Sequence, residues 1–110
     1  MSFDKHLADR IRELVGDERG VSEKRMFGGL AFLVNGNMAV SASGQGGLLV
    51  RVDPARSDEL TVDPRVRPFE MRGRPMTGWL HIDVDASVSD EELGPWVDQG
   101  VAMARSLPPR

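Results

Sequence analysis

Apolar residues return every three or four positions at the start of the chain: Phe3, Leu7, Ile11, Leu14 and Val15 fall on one side, with Asp4, Lys5, Asp9, Arg10, Arg12 and Glu13 mostly on the other. That period predicts an amphipathic first helix between Ser2 and Gly16, with Gly16 at its C-terminal cap and Asp17 to Gly20 as a polar turn. The period then shortens to two. Glu23 to Phe27 reads as a strand and Leu30 to Val34 as a second, interrupted at Gly28-Gly29, where a bulge or a close approach of backbones is expected. Asn35-Gly36 tolerates positive φ at both positions of a type I′ turn, which predicts a tight hairpin from Leu30–Val34 to Asn37–Ser43. Gly44-Gln45-Gly46-Gly47 is a further turn, and Leu48 to Asp53 alternates as another strand.

Asp53-Pro54 places an N-cap before a proline at the first helical position, so Pro54 to Leu60 is expected to form a short helix, ended by Pro64 to Pro68. Phe69 and Met71 alternate with Glu70 and Arg72 in a short, edge-like strand. Gly73 to Gly78 reads as the turn before a last strand, Trp79 to Val84. Ser89 and Glu92 stand at the positions of a capping box, flanked by Val88 and Leu93 as a hydrophobic staple. The final helix thus begins there, and Leu93, Trp96, Val97, Val101, Ala104 and Leu107 make its apolar stripe. Gly94-Pro95 is expected to kink or loosen its beginning, and Pro108-Pro109 to stop it. Strands in a run rather than in βαβ alternation give an α+β class with a largely antiparallel sheet.

A length of 110 residues suits one domain spanning 1–110. Apolar residues at 40% and charged residues at 28%, arranged periodically, separate the chain from disordered sequences. The absence of cysteine excludes disulfides and thiolate chemistry and is compatible with a reducing compartment, so a cytoplasmic location is expected. The N-terminus alternates charge with hydrophobes, unlike a signal peptide, and no apolar run reaches membrane-spanning length. A formal net charge of −3 argues against a dedicated nucleic-acid binder.

Arg25-Met26-Phe27-Gly28-Gly29, followed by the Leu30–Val34 strand, Asn35-Gly36 and Met38, resembles the signature of the TfoX N-terminal domain family. The likeness continues through Leu48 to Val52, Phe69, Gly73-Arg74-Pro75-Met76 and Gly78-Trp79, to the helix led by Glu92-Leu93. It implies a two-layer, secretion-chaperone-like fold in which helices pack on a five-stranded antiparallel sheet, in the order α-β(3)-α-β(2)-α. Full-length TfoX (Sxy) proteins regulate natural competence with a cyclic-AMP-responsive activator and carry a second, helical C-terminal domain. The resemblance therefore implies a stand-alone form of the first domain. Arg25, Met26, Phe27, Gly28 and Gly29 offer no catalytic group and are expected to serve folding.

Candidate chemistry is sparse. Gly44 to Gly47 precedes a strand, whereas a phosphate loop precedes a helix whose amides face the anion. His81, Asp83 and Asp85 alternate and could share one strand face with a cation, but Leu80, Ile82 and Val84 fill the opposite face, which makes the polar set the expected solvent side. Glu70 and Glu92 have ordinary roles as surface and capping residues, and Ser41 and Ser43 lack a nucleophile elbow. No catalytic residue, metal site or cofactor is assigned. Arg65, Arg67, Arg72 and Arg74 form a local cationic excess with Glu70 as the only acid among them. A solvated strand edge that resists aggregation accounts for them, and an anionic partner surface is the alternative. Asp83 to Asp98 holds six acids and no base, which leaves head-to-tail self-association, a homodimer, open. Trp96 lies on the helical stripe and is placed in the core, whereas Trp79 is a candidate interface anchor. The expected function is a non-catalytic regulatory or interaction module with an unidentified protein partner. The alternatives are a small-molecule or metal-dependent enzyme, and weak nucleic-acid binding through the Arg65 to Arg74 segment.

Overall fold

The computed structural model describes residues 3–26 and 28–110. Asp4 opens helix α1 (Lys5–Leu14), its carboxylate accepting from the backbone amides of His6 and Leu7. The helix buries Leu7, Ala8 and Ile11. The expected start at Ser2 lies outside the described residues. Val15 rather than Gly16 is the C-terminal cap, and its φ of −96° needs no glycine.

Four strands follow: β1 (Val21–Met26), β2 (Gly29–Val34), β3 (Asn37–Ala42) and β4 (Leu48–Arg51). A 3-10 turn at Pro54–Arg56, capped by Asp53, leads into the short α2 (Ser57–Leu60). Strands β5 (Val66–Met71) and β6 (Arg74–Ile82) and helix α3 (Asp90–Arg105) complete the chain. The sheet is antiparallel with order β1-β2-β3-β4-β6-β5, so the element order is α-β4-α-β2-α.

The sheet therefore has six strands, four of them before α2, as the strand-by-strand reading of the sequence has it, and not the five, three before α2 and two after, that the family resemblance implies. The reason lies at the paired glycines. Met26 is directly opposite Gly29, and Gly28 has a φ of +77°, so the chain reverses there and β1 and β2 form a hairpin. The close approach expected at this point is also present, since a Cβ on Gly29 would stand 2.4 Å from the Ala42 carbonyl oxygen. Phe27 of the Arg25 to Gly29 motif lies outside the described residues.

The second correction concerns β6. It begins at Arg74, five residues before the expected start, because Arg72 and Gly73, with φ of 56° and 78°, form the tight turn. Gly78, also at positive φ, then lies inside the strand. Pairing runs Pro68↔Leu80 and Glu70↔Pro75, so Met76 to Trp79 stand against Phe69 alone. That irregularity is a wide bulge in β6, and β5 is one edge of the sheet, as its sequence implied, with β1 at the other.

Both long helices pack on the same face of the sheet. Phe32, Val34, Val40, Leu48, Val50, Leu80 and Ile82 meet Leu7 and Ile11 of α1 and Leu93, Val97 and Ala104 of α3 in one core. Burial of each such side chain stabilises the fold by about 1.5–3 kcal/mol before entropic costs. Ser89 caps α3 through the Glu92 amide, and Val88 and Leu93 join the core as a staple. The Glu92 carboxylate instead bonds Arg65, so only half of the capping box forms. Helix α3 continues through Gly94-Pro95 to Arg105. Trp96 packs against the core.

In β3 the register shifts against β2, and both Ala39 and Val40 turn toward the helices. Gly100 of α3 sits directly on this bulge: a Cβ there would be 2.4 Å from the Ala39 carbonyl oxygen. Gly100→Ala gains about 1 kcal/mol of helix propensity. Overpacking against backbone, which cannot swing aside, costs about 1–3 kcal/mol and dominates. Gly100→Ala is thus expected to lower the denaturant midpoint and Gly100→Val to lower it further. At the Asn35-Gly36 turn, φ values of 52° and 83° confirm the type I′ hairpin. The chain end closes over it, the Arg110 amide donating to the Asn35 carbonyl at 2.8 Å. Gly36→Val combines a strained φ with a Cβ 2.8 Å from the Arg110 carbonyl oxygen, and is expected to cost about 1–3 kcal/mol in the same measurement.

Candidate functional site

The opposite sheet face carries a second apolar cluster, which includes no helical residue. Ala31 of β2, Met38 of β3 and Leu49 of β4 form its floor, with Met26, Leu33, Phe69 and Trp79 packed against it. Strict alternation explains the floor: Leu48 and Val50 enter the main core, so Leu49 and Arg51 must face the other way. The wide bulge in β6 brings Met76 and Trp79 to one wall, while Met26 and Met71 contribute further lining. The result is a half-open groove of about 200 Å³, with four of the chain's six methionines along it. Methionine's unbranched, polarisable side chain adapts to varied apolar surfaces.

Two arginines stand in this groove, Arg51 and Arg110. Arg51 is directly opposite Trp79 on the neighbouring strand, and its guanidinium lies 4.6 Å from the ring centroid, a cation–π geometry. Burial pushes the Arg51 guanidinium below its ordinary pKa, and the positive charge of Arg110 pushes it the same way. The ion pairs among the described residues involve Arg10, Arg12, Arg56, Arg65 and Arg105; Arg51 and Arg110, like Arg19, Arg25, Arg67, Arg72 and Arg74, are in none of them. An adjoining, more polar part of the groove is lined by Ser41, Ser43, Gln45, Glu70 and Arg72.

The four arginines singled out from sequence do not converge. Arg65 is held by Asp63 and Glu92, whose hydrogen bonds and charges raise its pKa above the ordinary value. Arg67 lies opposite His81 on β6, and Arg72 and Arg74 occupy the β5–β6 turn, at the other end of the strand from Arg65. Trp79 sits half-buried in the groove, while Arg51, its cationic neighbour, was not distinguished by any sequence pattern. Its signal is the register, which only the folded sheet supplies.

His81 departs from the expected solvent face. It is 3% exposed, and its Nε2–H donates to the Gly46 carbonyl at 2.7 Å. The Gly44 to Gly47 turn covers the ring, because β6 is an inner strand and β4 delivers that turn beside it. Nδ1 is buried without a partner among the described residues. Asp83 remains exposed, and Asp85 accepts from the Ser87 amide and hydroxyl, which hold its carboxyl below the usual carboxylate range. Ser41 donates to the Ala42 carbonyl, and Ser43 accepts from the Gln45 amide. Among the described residues no group of three or more His, Asp or Glu is placed to hold a metal ion. Zn²⁺ or Mn²⁺ in modest excess is therefore expected to leave the melting temperature unchanged, since a native-state site would raise it by mass action. A rise abolished by His81→Ala would reveal a site at this ring.

No described helix is long and apolar enough to cross a membrane. No curated protein and no solved structure matches the chain. A family model described as the TfoX N-terminal domain matches residues 13–104 of the 110, a span that runs from the end of α1 through nearly all of α3 and includes every strand that builds the groove. By that match, and with the glycine-linked β1–β2 hairpin and the Gly78-Trp79 bulge in place, the chain belongs to the TfoX N-terminal domain family.

Proposed function

We propose that this chain is a non-catalytic regulatory module that docks a protein partner against the helix-free face of its sheet. The single observation that supports the reading is the groove itself. An apolar, methionine-rich concavity beside a tryptophan and an arginine has the composition of an interface centre, where aromatic residues, methionine and arginine are enriched. Asn37 in its lining and Ser41 and Ser43 beside it are engaged with backbone rather than with one another. The family's known association with regulation of competence agrees with an interaction role, and among the described residues no acid, base and nucleophile converge for catalysis.

Met76 is the substitution site of choice, because it is 38% exposed at the groove rim and contributes little to the core. Met76→Lys is expected to change stability by no more than about 0.5 kcal/mol. Proteins captured from native lysate by the wild-type domain are expected to be lost with Met76→Lys and retained with Arg56→Glu, which lies beside α3 on the other side of the sheet. Equal capture by all three would remove the groove from the function. Duplex DNA is expected to bind no better than weakly at physiological salt, since Arg65 is already neutralised by Asp63 and Glu92. Sub-micromolar, sequence-selective anisotropy binding lost in a folded Arg72→Glu/Arg74→Glu double variant would favour nucleic acid instead.

A further inference from the structure

We infer that the occupant of the groove is an amphipathic peptide segment of another protein that carries a carboxylate, read by Arg51 and Arg110. The inference rests on the docking role proposed above and specifies its chemistry. A guanidinium that is partly desolvated, stacked on an indole and placed near a second cation is electrostatically unfavourable in the isolated domain. Trp79 offsets part of that cost, but no carboxylate side chain among the described residues pairs with the guanidinium, whereas Arg10, Arg12, Arg56, Arg65 and Arg105 each have one. The groove that holds Arg51 and Arg110 has no Asp or Glu side chain in its lining, and the adjoining part is lined by both Glu70 and Arg72. The site is thus charge-polarised: one end calls for an anion, and the remainder for apolar side chains.

A carboxylate fits the cation better than a point anion does. Stacking on Trp79 fixes the guanidinium plane, and a planar fork so held can donate two parallel N–H bonds to two carboxylate oxygens. The shape selects a peptide over a fatty acid. A small ligand is normally buried over most of its surface, whereas this groove is half open along the sheet. The β5 edge is also unsuited to adding a strand, since it carries Pro68 and a register shift beside it. Recognition therefore proceeds through side chains laid into the groove, with methionines adjusting to them.

A phage-displayed library of random 12-residue peptides, panned against the intact domain, tests this. Enriched peptides are expected to combine apolar residues with at least one Asp or Glu, and to lose binding to Met76→Lys. In fluorescence anisotropy, amidating the acid (Asp→Asn or Glu→Gln) is expected to weaken binding to wild type about tenfold. The same change is expected to leave binding to Arg51→Met, a variant that keeps the apolar stem, unaltered. Circular dichroism melts establish that both variants are folded. Groove-dependent peptides that bind equally well with or without their acid would overturn the carboxylate inference and leave the docking role standing. Peptides indifferent to Met76→Lys would overturn both. Dodecanoate displacing every selected peptide at comparable concentration would assign the groove to a small amphiphile, and a groove-dependent dimer in sedimentation would assign it to a second copy of this chain; either result overturns the inference.

Discussion

The seat of α3 on β3 is the constraint from which the other features follow. The bulge that turns both Ala39 and Val40 toward the helices raises a strip of backbone, and Gly100 alone in the stripe of α3 lets the helix come down on it. Once seated, Leu93, Val97 and Ala104 close the core over β3 and β4, and the chain end is carried back across the Asn35-Gly36 turn. Asn37 adds to this closure, its side-chain amide donating to the Pro108 carbonyl at 2.9 Å. The hairpin and the helix terminus therefore hold each other in place.

Packing both long helices on one face leaves the other face to manage its own apolar residues. Alternation obliges β2, β3 and β4 to present Ala31, Met38 and Leu49 there, and the wide bulge of β6 supplies a wall rather than a flat extension of the sheet. Concavity on this face is thus a by-product of irregular pairing at the β5–β6 edge. The same geometry puts Arg51 across from Trp79 and Arg110 nearby, so that cationic charge accumulates on an apolar surface of a chain whose net charge is negative. Five arginines elsewhere are engaged with acids, among them Arg10 with Asp90, Arg12 with Asp9 and Glu23, and Arg105 with Glu18, while others such as Arg19 and Arg74 stand on open surface. The contrast is what gives the groove its chemical character.

Much of the fold was legible because its signals are local. The Asn-Gly turn, Asp53-Pro54 and Ser89 each act within a few residues, and each lies where the chain turns or a helix begins. Errors arose where local sequence allows two outcomes. Paired glycines permit either a bulge within one strand or the reversal between two, and it is the pairing of β1 with β2 that decides for reversal. Gly78 looked like part of a turn, yet neighbouring β4 draws it into β6: the Val52 amide donates to its carbonyl at 2.8 Å.

The candidate site shows the same division. The sequence by itself determined the α+β class, the alternation of strand residues and the family likeness, because these depend on residue type and short spacing. Only the tertiary structure decided that Arg65 is neutralised by Glu92, that His81 is covered by a turn, and that Arg51 stacks on Trp79. Each of these joins residues more than twenty-five positions apart in the chain, and such contacts are fixed by strand register and helix seating, which a one-dimensional pattern leaves open.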